Sequence, residues 1–501
     1  MTSLPLARLE PADGAGHGLP SSNAPRSARA MSALARSFRT GLFHAHEAVM
    51  RRGTVRLARR LISDERQPPS AVVAMQRGKL IAILEHARRT CVYYKDGRYR
   101  SMEDALAASR DRQAVSAADL LAGVPLLPRA ELRSHAREMR WDSGPGRVLI
   151  DHTRGSTDER LAYYWDRNRQ AWDKAQRIRG HHDLGFAIGD RELHLWPIDP
   201  PVDFSGRVRH GLRRLRDFAL GELQVDWPGG TKELTRDMAA SFWQKVLRSG
   251  PSRLSAFPSA LSMMIQTDPK GAQACARRTL RTVFLTGEVT HKWQRRLISR
   301  SLHARCVESY GVQEAGAIAY ECARGRWHVC SESAFVEFVR GGRSARPGEL
   351  AEVVVTGLES FAMPLIRYCT GDVVRVGELD CDCGSGRPVM PRVLGRTRDF
   401  LVTDESEWIE PARTVEALSP ILGEGRFQVR QTDVGSIEIS VVNDGTTSTG
   451  RASRVREALE SLMGQRAAVS LRQVDGLERT EFGKCRYVQS DRGLQGLAGA
   501  A

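Results

Sequence analysis

Cysteine is scarce in this chain, with nine scattered residues in 501. That scarcity excludes a disulfide-stapled scaffold and suits a reducing, cytoplasmic setting. No run of about 18 apolar residues occurs, so no membrane-spanning helix is expected. The N-terminus lacks the basic-then-apolar pattern that ends in a small-residue cleavage site, so no secretory signal is expected either. Lysine is also rare, and arginine supplies almost all of the positive side of a net charge of +16. No motif of interleaved aromatic and basic residues repeats along the chain, so nucleic acid is not an expected partner. A field of this sign suits anionic substrates such as ATP or coenzyme A.

What is present begins with size. A chain of this length is too long for one simple core, and two or three domains are expected. Apolar residues make up 41%, enough for a sizeable interior. Residues 1–30 are rich in Gly, Pro, Ser and Ala and read as disordered. Residues 31–65 interleave Arg with Leu, Phe and Val and read as basic amphipathic helices, able to touch a membrane surface or to pack on the body. Leu80, Ile83, Leu84 and Ala87 fall on one face of a helix over 74–95.

Further on, residues 147–151 read as a strand, followed by His152-Thr153-Arg154-Gly155-Ser156-Thr157. Leu161, Tyr164, Trp165 and Trp172 recur at helical spacing, with Thr157 or Asp158 as the cap, so a helix is expected from about 158. Strand, small-residue turn and helix start is an arrangement that aims backbone N–H groups at phosphate. Val283 to Leu285 reads as a short buried strand whose C-terminal turn is Thr286-Gly287-Glu288. In open α/β sheets, ligands sit at such strand ends. A helix, a second strand and the turn Tyr310-Gly311 come next, with Glu314 three residues on. The apolar run Leu350–Thr356 leads to Arg367, Tyr368 and the turn Gly371-Asp372, and Gly395-Arg396-Thr397-Arg398-Asp399 follows. Paired strands, a helix over 451–464 and a last strand then lead to Arg479-Thr480-Glu481-Phe482-Gly483-Lys484. Lys484 is the one lysine after Lys292. A compact point charge on a flexible stem can reach a carboxylate and a phosphate together.

This ordered set, over roughly residues 75–490, resembles the adenylate-forming (AMP-binding) superfamily. Within it the resemblance is to the phenylacetate–CoA ligase-like branch, which includes capsular-polysaccharide-associated relatives. The resemblance implies an α/β fold with a large adenylation domain of mixed sheets and helices and a small mobile α+β C-terminal domain. The corresponding divisions are an N-terminal extension over 1–70, the large domain over 71–396, the small domain over 397–490 and a tail over 491–501. It implies a phosphate loop at Thr153, Gly155, Ser156 and Thr157, and nucleotide contacts from Gly287, Glu288, Tyr310 and Gly311. Glu314 is implied as the Mg²⁺ carboxylate, Asp372 as the ribose ligand, Arg396 as a ribose or phosphate contact, Asp399 as the hinge and Lys484 as the catalytic lysine. After Thr157 the chain departs from the family, placing Asp158-Glu159-Arg160 where Gly-Thr-Pro is usual.

Cys381 and Cys383 sit in a tight turn, and Cys322 and His328 lie upstream. Together they form a Cys₃His set, a usual structural zinc complement. The spacing is not that of a standard zinc ribbon, Cys330 is a rival ligand, and buried metal-free thiols are the alternative; the family resemblance favours zinc.

The expected activity is ATP-dependent activation of a small carboxylic acid as acyl-AMP, then transfer to a thiol such as CoA. Two alternatives stay open: an amine acceptor giving an amide, and a catalytically weak zinc-containing binding or scaffold protein, which Asp158-Glu159 would favour. A homodimer is expected by resemblance.

Overall fold

The computed structural model describes residues 26–111, 116–142, 144, 148–153, 161–197, 204–227, 234–276, 278–377, 379–443, 449–464, 466–480, 483–494 and 497–499. Residues 1–25 and 154–160, the latter carrying Gly155, Ser156 and Thr157, lie outside these residues. Among them no helix is long and apolar enough to cross a membrane.

The large domain is built on two large sheets, with a short hairpin beside them. In the first, five parallel strands run in the order Glu222–Asp226, Glu192–Trp196, Arg253–Ala256, Thr282–Thr286 and Arg305–Val312. Three antiparallel strands extend it: Gly316–Glu321, Trp327–Val329 and Val389–Met390. Helices between the parallel strands cover it, so its strands read as continuous apolar runs such as Thr282-Val-Phe-Leu285, all buried. The second sheet is antiparallel, in the order Arg343–Ser344, Ala334–Arg340, Leu350–Gly357, Tyr368–Arg375 and Val393–Arg396. Its central strand, Leu350–Gly357, is buried along its whole length. The helix Pro69–Thr90 packs against it, with Leu80, Ile83, Leu84 and Ala87 all inaccessible to solvent, as the apolar periodicity indicates.

Three expectations are overturned. Tyr310-Gly311 and Gly371-Asp372 are not turns: they lie inside the strands Arg305–Val312 and Tyr368–Arg375, each at a bulge in the ladder. No helix starts at 158: Ala162–Trp165 is a strand, paired antiparallel with Leu149–His152, and the helix begins at Arg167. The aromatic run Ala-Tyr-Tyr-Trp favours a half-buried strand. Asp166 is the cap, its side chain accepting the Arg169 N–H at 2.8 Å. Residues 154–160 therefore lie in the chain between two paired strands, and the helix comes only after the second of them. The flanking residues are pinned to each other, Thr153 N–H donating to the Leu161 carbonyl at 2.8 Å and Leu161 N–H to Thr153 Oγ1 at 3.1 Å.

The small domain is a four-stranded sheet in the order Ala468–Val474, Ser436–Val442, Phe427–Asp433 and Val488–Ser490, with helices Pro411–Leu422 and Thr449–Met463. Trp293 of the large domain inserts into its core among Leu418, Leu422 and Tyr487. A Cβ on Gly425 would lie 2.6 Å from the Trp293 ring, so only glycine admits this contact. The segment set apart as a tail also packs. Leu494 and Leu497 are buried with Leu350, Val373 and Phe400, and Gly341 and Gly342 donate to the Leu497 and Ala498 carbonyls at 2.9 and 2.7 Å.

The N-terminal helix Arg26–Val49 is tied to the body by two of its arginines. Arg39 Nε donates to the Gly189 carbonyl at 2.6 Å and Arg36 faces Asp190 at 3.9 Å.

Candidate functional site

A cavity of about 510 Å³ opens between the two domains, at the C-terminal ends of the parallel strands. Its walls include Thr153, Gly287, Glu288, Tyr310, Gly311, Glu314, Asp372, Arg396, Asp399 and Lys484. Every described residue that the sequence assigns to nucleotide or hinge therefore meets in one place, although they are spread over more than 300 positions.

Glu314 is buried at the turn after Arg305–Val312. Its Oε1 accepts from Arg129 Nη1 at 2.6 Å and from the Tyr368 hydroxyl at 2.5 Å. Arg129 Nη2 donates onward to Thr153 Oγ1 at 3.1 Å. Arg169 fixes the same turn from behind, donating to the Gln313 and Glu314 carbonyls. Neither arginine is distinguishable in the sequence, because the Gln313–Glu314 turn that both hold is more than 140 residues away and arginine is everywhere.

Asp372 accepts from the Tyr310 hydroxyl at 2.8 Å, and Arg396 Nε stands 3.4 Å from its other oxygen. Burial raises the Asp372 carboxyl above its usual range, opposed by the Arg396 charge. Tyr310 stacks on Trp327, centroids 5.8 Å apart at 19°, leaving a flat aromatic wall beside the carboxylate.

Lys484 arrives from the small domain. Its Nζ donates to the Gly287 carbonyl at 2.8 Å and lies 4.9 Å from the Phe257 ring centroid. Gly287 has φ +77°, and a Cβ there would meet Phe257 at 2.7 Å, so the turn requires glycine. Burial lowers the lysine to about 8, with Glu288 pulling the other way. Glu288 itself accepts from Ser259 N and Oγ at 3.0 and 2.8 Å, and from Cys485 N at 3.0 Å. It thus clamps the backbone next to Lys484 to the large domain. Arg486 stands 3.9 Å from Asp399 Oδ1, and Asp399 Oδ2 accepts from Arg396 N at 2.8 Å. Sequence reading marks Glu288 and Asp399 but misses this clamping geometry.

At the far side of the eight-stranded sheet, Cys322, His328, Cys381 and Cys383 bring one donor atom each within 4.8 Å of one another. Cys322 Sγ lies 3.6 Å from Cys381 Sγ, and Cys383 Sγ 3.3 Å from His328 Nε2. A tetrahedron of 2.3 Å metal–sulfur bonds has edges of roughly 3.8 Å, close to these separations. His328 Nδ1 is 3.1 Å from the Arg387 carbonyl, which fixes the ring with Nε2 towards the thiols. Burial pushes the Cys322 thiol up, but hydrogen bonds from His328 and from backbone N–H groups outweigh it and leave the thiol lowered to about 6. Cys330 is outside the group and fully buried.

No protein-family model matches the chain. In sequence it is 27% identical over 190 residues to a phenylacetate–coenzyme A ligase of Thermus thermophilus. The match takes in 37% of this chain and 41% of that relative, so the chain spans about two-fifths of the relative's length. In structure it is similar to a 2-hydroxyisobutyryl-CoA ligase in its postadenylation state with an acyl-AMP, at a TM-score of 0.66 and 17% identity over 85% of this chain and 91% of the other. Against the same ligase in its thioesterification state, with acyl-AMP and CoA, the TM-score is 0.51 at 18% identity, over 85% and 91%. The chain shares its fold, with a large N-terminal and a smaller C-terminal domain, with the 2-hydroxyisobutyryl-CoA ligase, and over 190 residues its sequence is similar to that of the phenylacetate–coenzyme A ligase.

Proposed function

We propose that the chain is an acid-activating ligase that forms an acyl-AMP from ATP and a small carboxylic acid and passes the acyl group to a thiol such as CoA. The observation that carries this reading is the convergence of Lys484, Glu314, Asp372 and Arg396 on one cavity from two domains.

In the first half-reaction a carboxylate oxygen attacks the α-phosphorus of ATP in line; the bond to the bridging oxygen breaks and pyrophosphate leaves. Asp372, with Tyr310 and Arg396 around it, is placed to accept from ribose hydroxyls. The Tyr310–Trp327 wall is a surface for a purine face. Lys484 Nζ exchanges its Gly287 partner for the carboxylate and the α-phosphate, so its charge meets the negative charge that accumulates there. Thr153, with Arg129 at its edge, provides donors for the outer phosphates. In the second half-reaction the thiolate sulfur attacks the acyl carbonyl carbon, the carbon–oxygen bond to phosphate breaks and AMP leaves. Release of Cys485 from Glu288 and of Arg486 from Asp399 frees the small domain to turn between the two steps.

Two metals fit the residues present. Both hydrogen bonds to Glu314 fall on Oε1, and a carboxylate with nucleotide phosphates is a normal magnesium environment. Magnesium held there supplies charge neutralisation at the phosphates. The Cys322, His328, Cys381 and Cys383 donors fit a closed tetrahedral zinc site, which supplies stability and no open coordination position.

ATP–pyrophosphate exchange against a panel of aromatic and aliphatic acids tests this reading. Exchange that depends on one acid class supports it and names the substrate class. The absence of exchange with every acid, from folded protein that binds ATP, turns the reading towards a binding protein. A panel of thiol and amine acceptors then separates thioester from amide formation.

A further inference from the structure

Seven of the eleven exposed large apolar side chains among the described residues lie on two helices. Leu34, Phe38 and Val49 are on Arg26–Val49; Val208, Leu212, Leu215 and Phe218 are on Phe204–Leu220. The two helices touch each other, and neither contributes to the cavity between the domains.

The helix Phe204–Leu220 is the informative one. At about 100° per residue, Val208, Leu212, Leu215 and Phe218 fill one arc, while Arg214 and Arg216 stand on its two shoulders. Leu212, Leu215 and Phe218 are 63%, 66% and 65% exposed. On the opposite side Asp217, the helix's one acidic residue, is buried and accepts from Arg216 Nε at 2.9 Å. Polar outside and apolar inside is the usual order for a surface helix; here the apolar arc faces solvent and the carboxylate faces in. The Arg26–Val49 helix shows the same inversion. Arg36 and Arg39 bind the 188–190 turn, while Leu34 and Phe38 point out at 71% and 69%.

We propose that these two helices form an interfacial docking surface for an anionic lipid bilayer. An apolar arc with arginine on both flanks is the pattern of a helix lying in the headgroup plane: leucines enter the acyl boundary and guanidinium groups meet lipid phosphates. Charge decides between occupants. A second copy docked by the same face would bring arginine shoulders against arginine shoulders. Nucleic acid would satisfy the arginines but leave the leucine row in contact with phosphate and water. An anionic bilayer satisfies both.

The test is co-sedimentation of the full chain with vesicles of equal parts phosphatidylglycerol and phosphatidylcholine, and with vesicles of phosphatidylcholine alone. Binding to the anionic vesicles is expected, weaker with neutral ones and weakened by salt. Leu212→Ser with Leu215→Ser should lower the partition coefficient by about 20-fold or more, and Arg214→Gln by about fivefold. All three side chains are in solvent, so melting should not change; Arg214→Gln alone keeps the test open if the double variant misfolds. The proposal is overturned if neither vesicle binds, if both bind equally, or if the variants bind like the parent. It is also overturned if light scattering shows a dimer that Leu212→Ser with Leu215→Ser dissolves while anionic vesicles remain unbound.

Discussion

The Cys/His cluster and the interdomain cavity are built on opposite plans. All four cluster residues lie in one short hairpin and one turn, joined by the Val389–His328 strand pairing, and their donor atoms stand at bonding separations without help from the small domain. The cavity is complete only when two domains meet, and its charged groups are occupied with one another: Glu314 with Arg129, Asp372 with Arg396, Lys484 with the Gly287 carbonyl. A site that stabilises can be prebuilt and closed. A site that turns over must hold its charges in exchangeable bonds, so that substrate can replace them.

That contrast can be broken first at the cluster. Cys381→Ser with Cys383→Ser removes half the donors, and melting should fall by about 10 °C or more. Metal analysis should find one zinc per parent chain and none in the variant. An unchanged melting curve would leave the four residues as ordinary thiols and imidazole.

Arg129→Gln should sharpen the other side. It removes the guanidinium that competes with a cation for Glu314, so exchange should saturate at lower magnesium concentration. The maximal rate should fall about tenfold through loss of a charge-assisted contact to Thr153. A magnesium titration of exchange reads both; an unchanged midpoint would remove Glu314 from the metal.

The smallest effect concerns protons. Lys484 is lowered to about 8 by burial, so it keeps its charge below pH 8 and loses it as pH rises through that value. Exchange should decline by about half near pH 8 relative to its plateau. In Lys484→Arg the alkaline limb should vanish, because guanidinium does not titrate there.

Much of this was legible before any coordinates. Residues whose chemistry is unusual for their position stand out: the lone late lysine Lys484, the acidic Glu314 after Tyr310-Gly311, the paired thiols at Cys381 and Cys383. Leu80, Ile83, Leu84 and Ala87 announced their helix by period alone. What failed was the stretch from 158. Its aromatics recur at spacings compatible with a helix, but only pairing with Leu149–His152, a tertiary fact, makes Ala162–Trp165 a strand. Arg129, Arg169 and Arg486 were invisible for a different reason. In a chain that uses arginine almost everywhere, an ion pair across 185 residues leaves no local mark. The exposed arc of Phe204–Leu220 was missed because its periodicity is that of a normal packed helix; only burial shows that the apolar side faces out.

The most direct measurement separates the two half-reactions in Lys484→Ala. Because Lys484 reaches the cavity from the small domain, the variant should lose acyl-AMP formation by about 10²- to 10³-fold. It should still transfer the acyl group from supplied acyl-AMP to the thiol at close to the parent rate, with unchanged melting. Pyrophosphate release at the parent rate in Lys484→Ala would contradict the placement of this lysine at the reacting phosphate, and with it the proposed chemistry of the cavity.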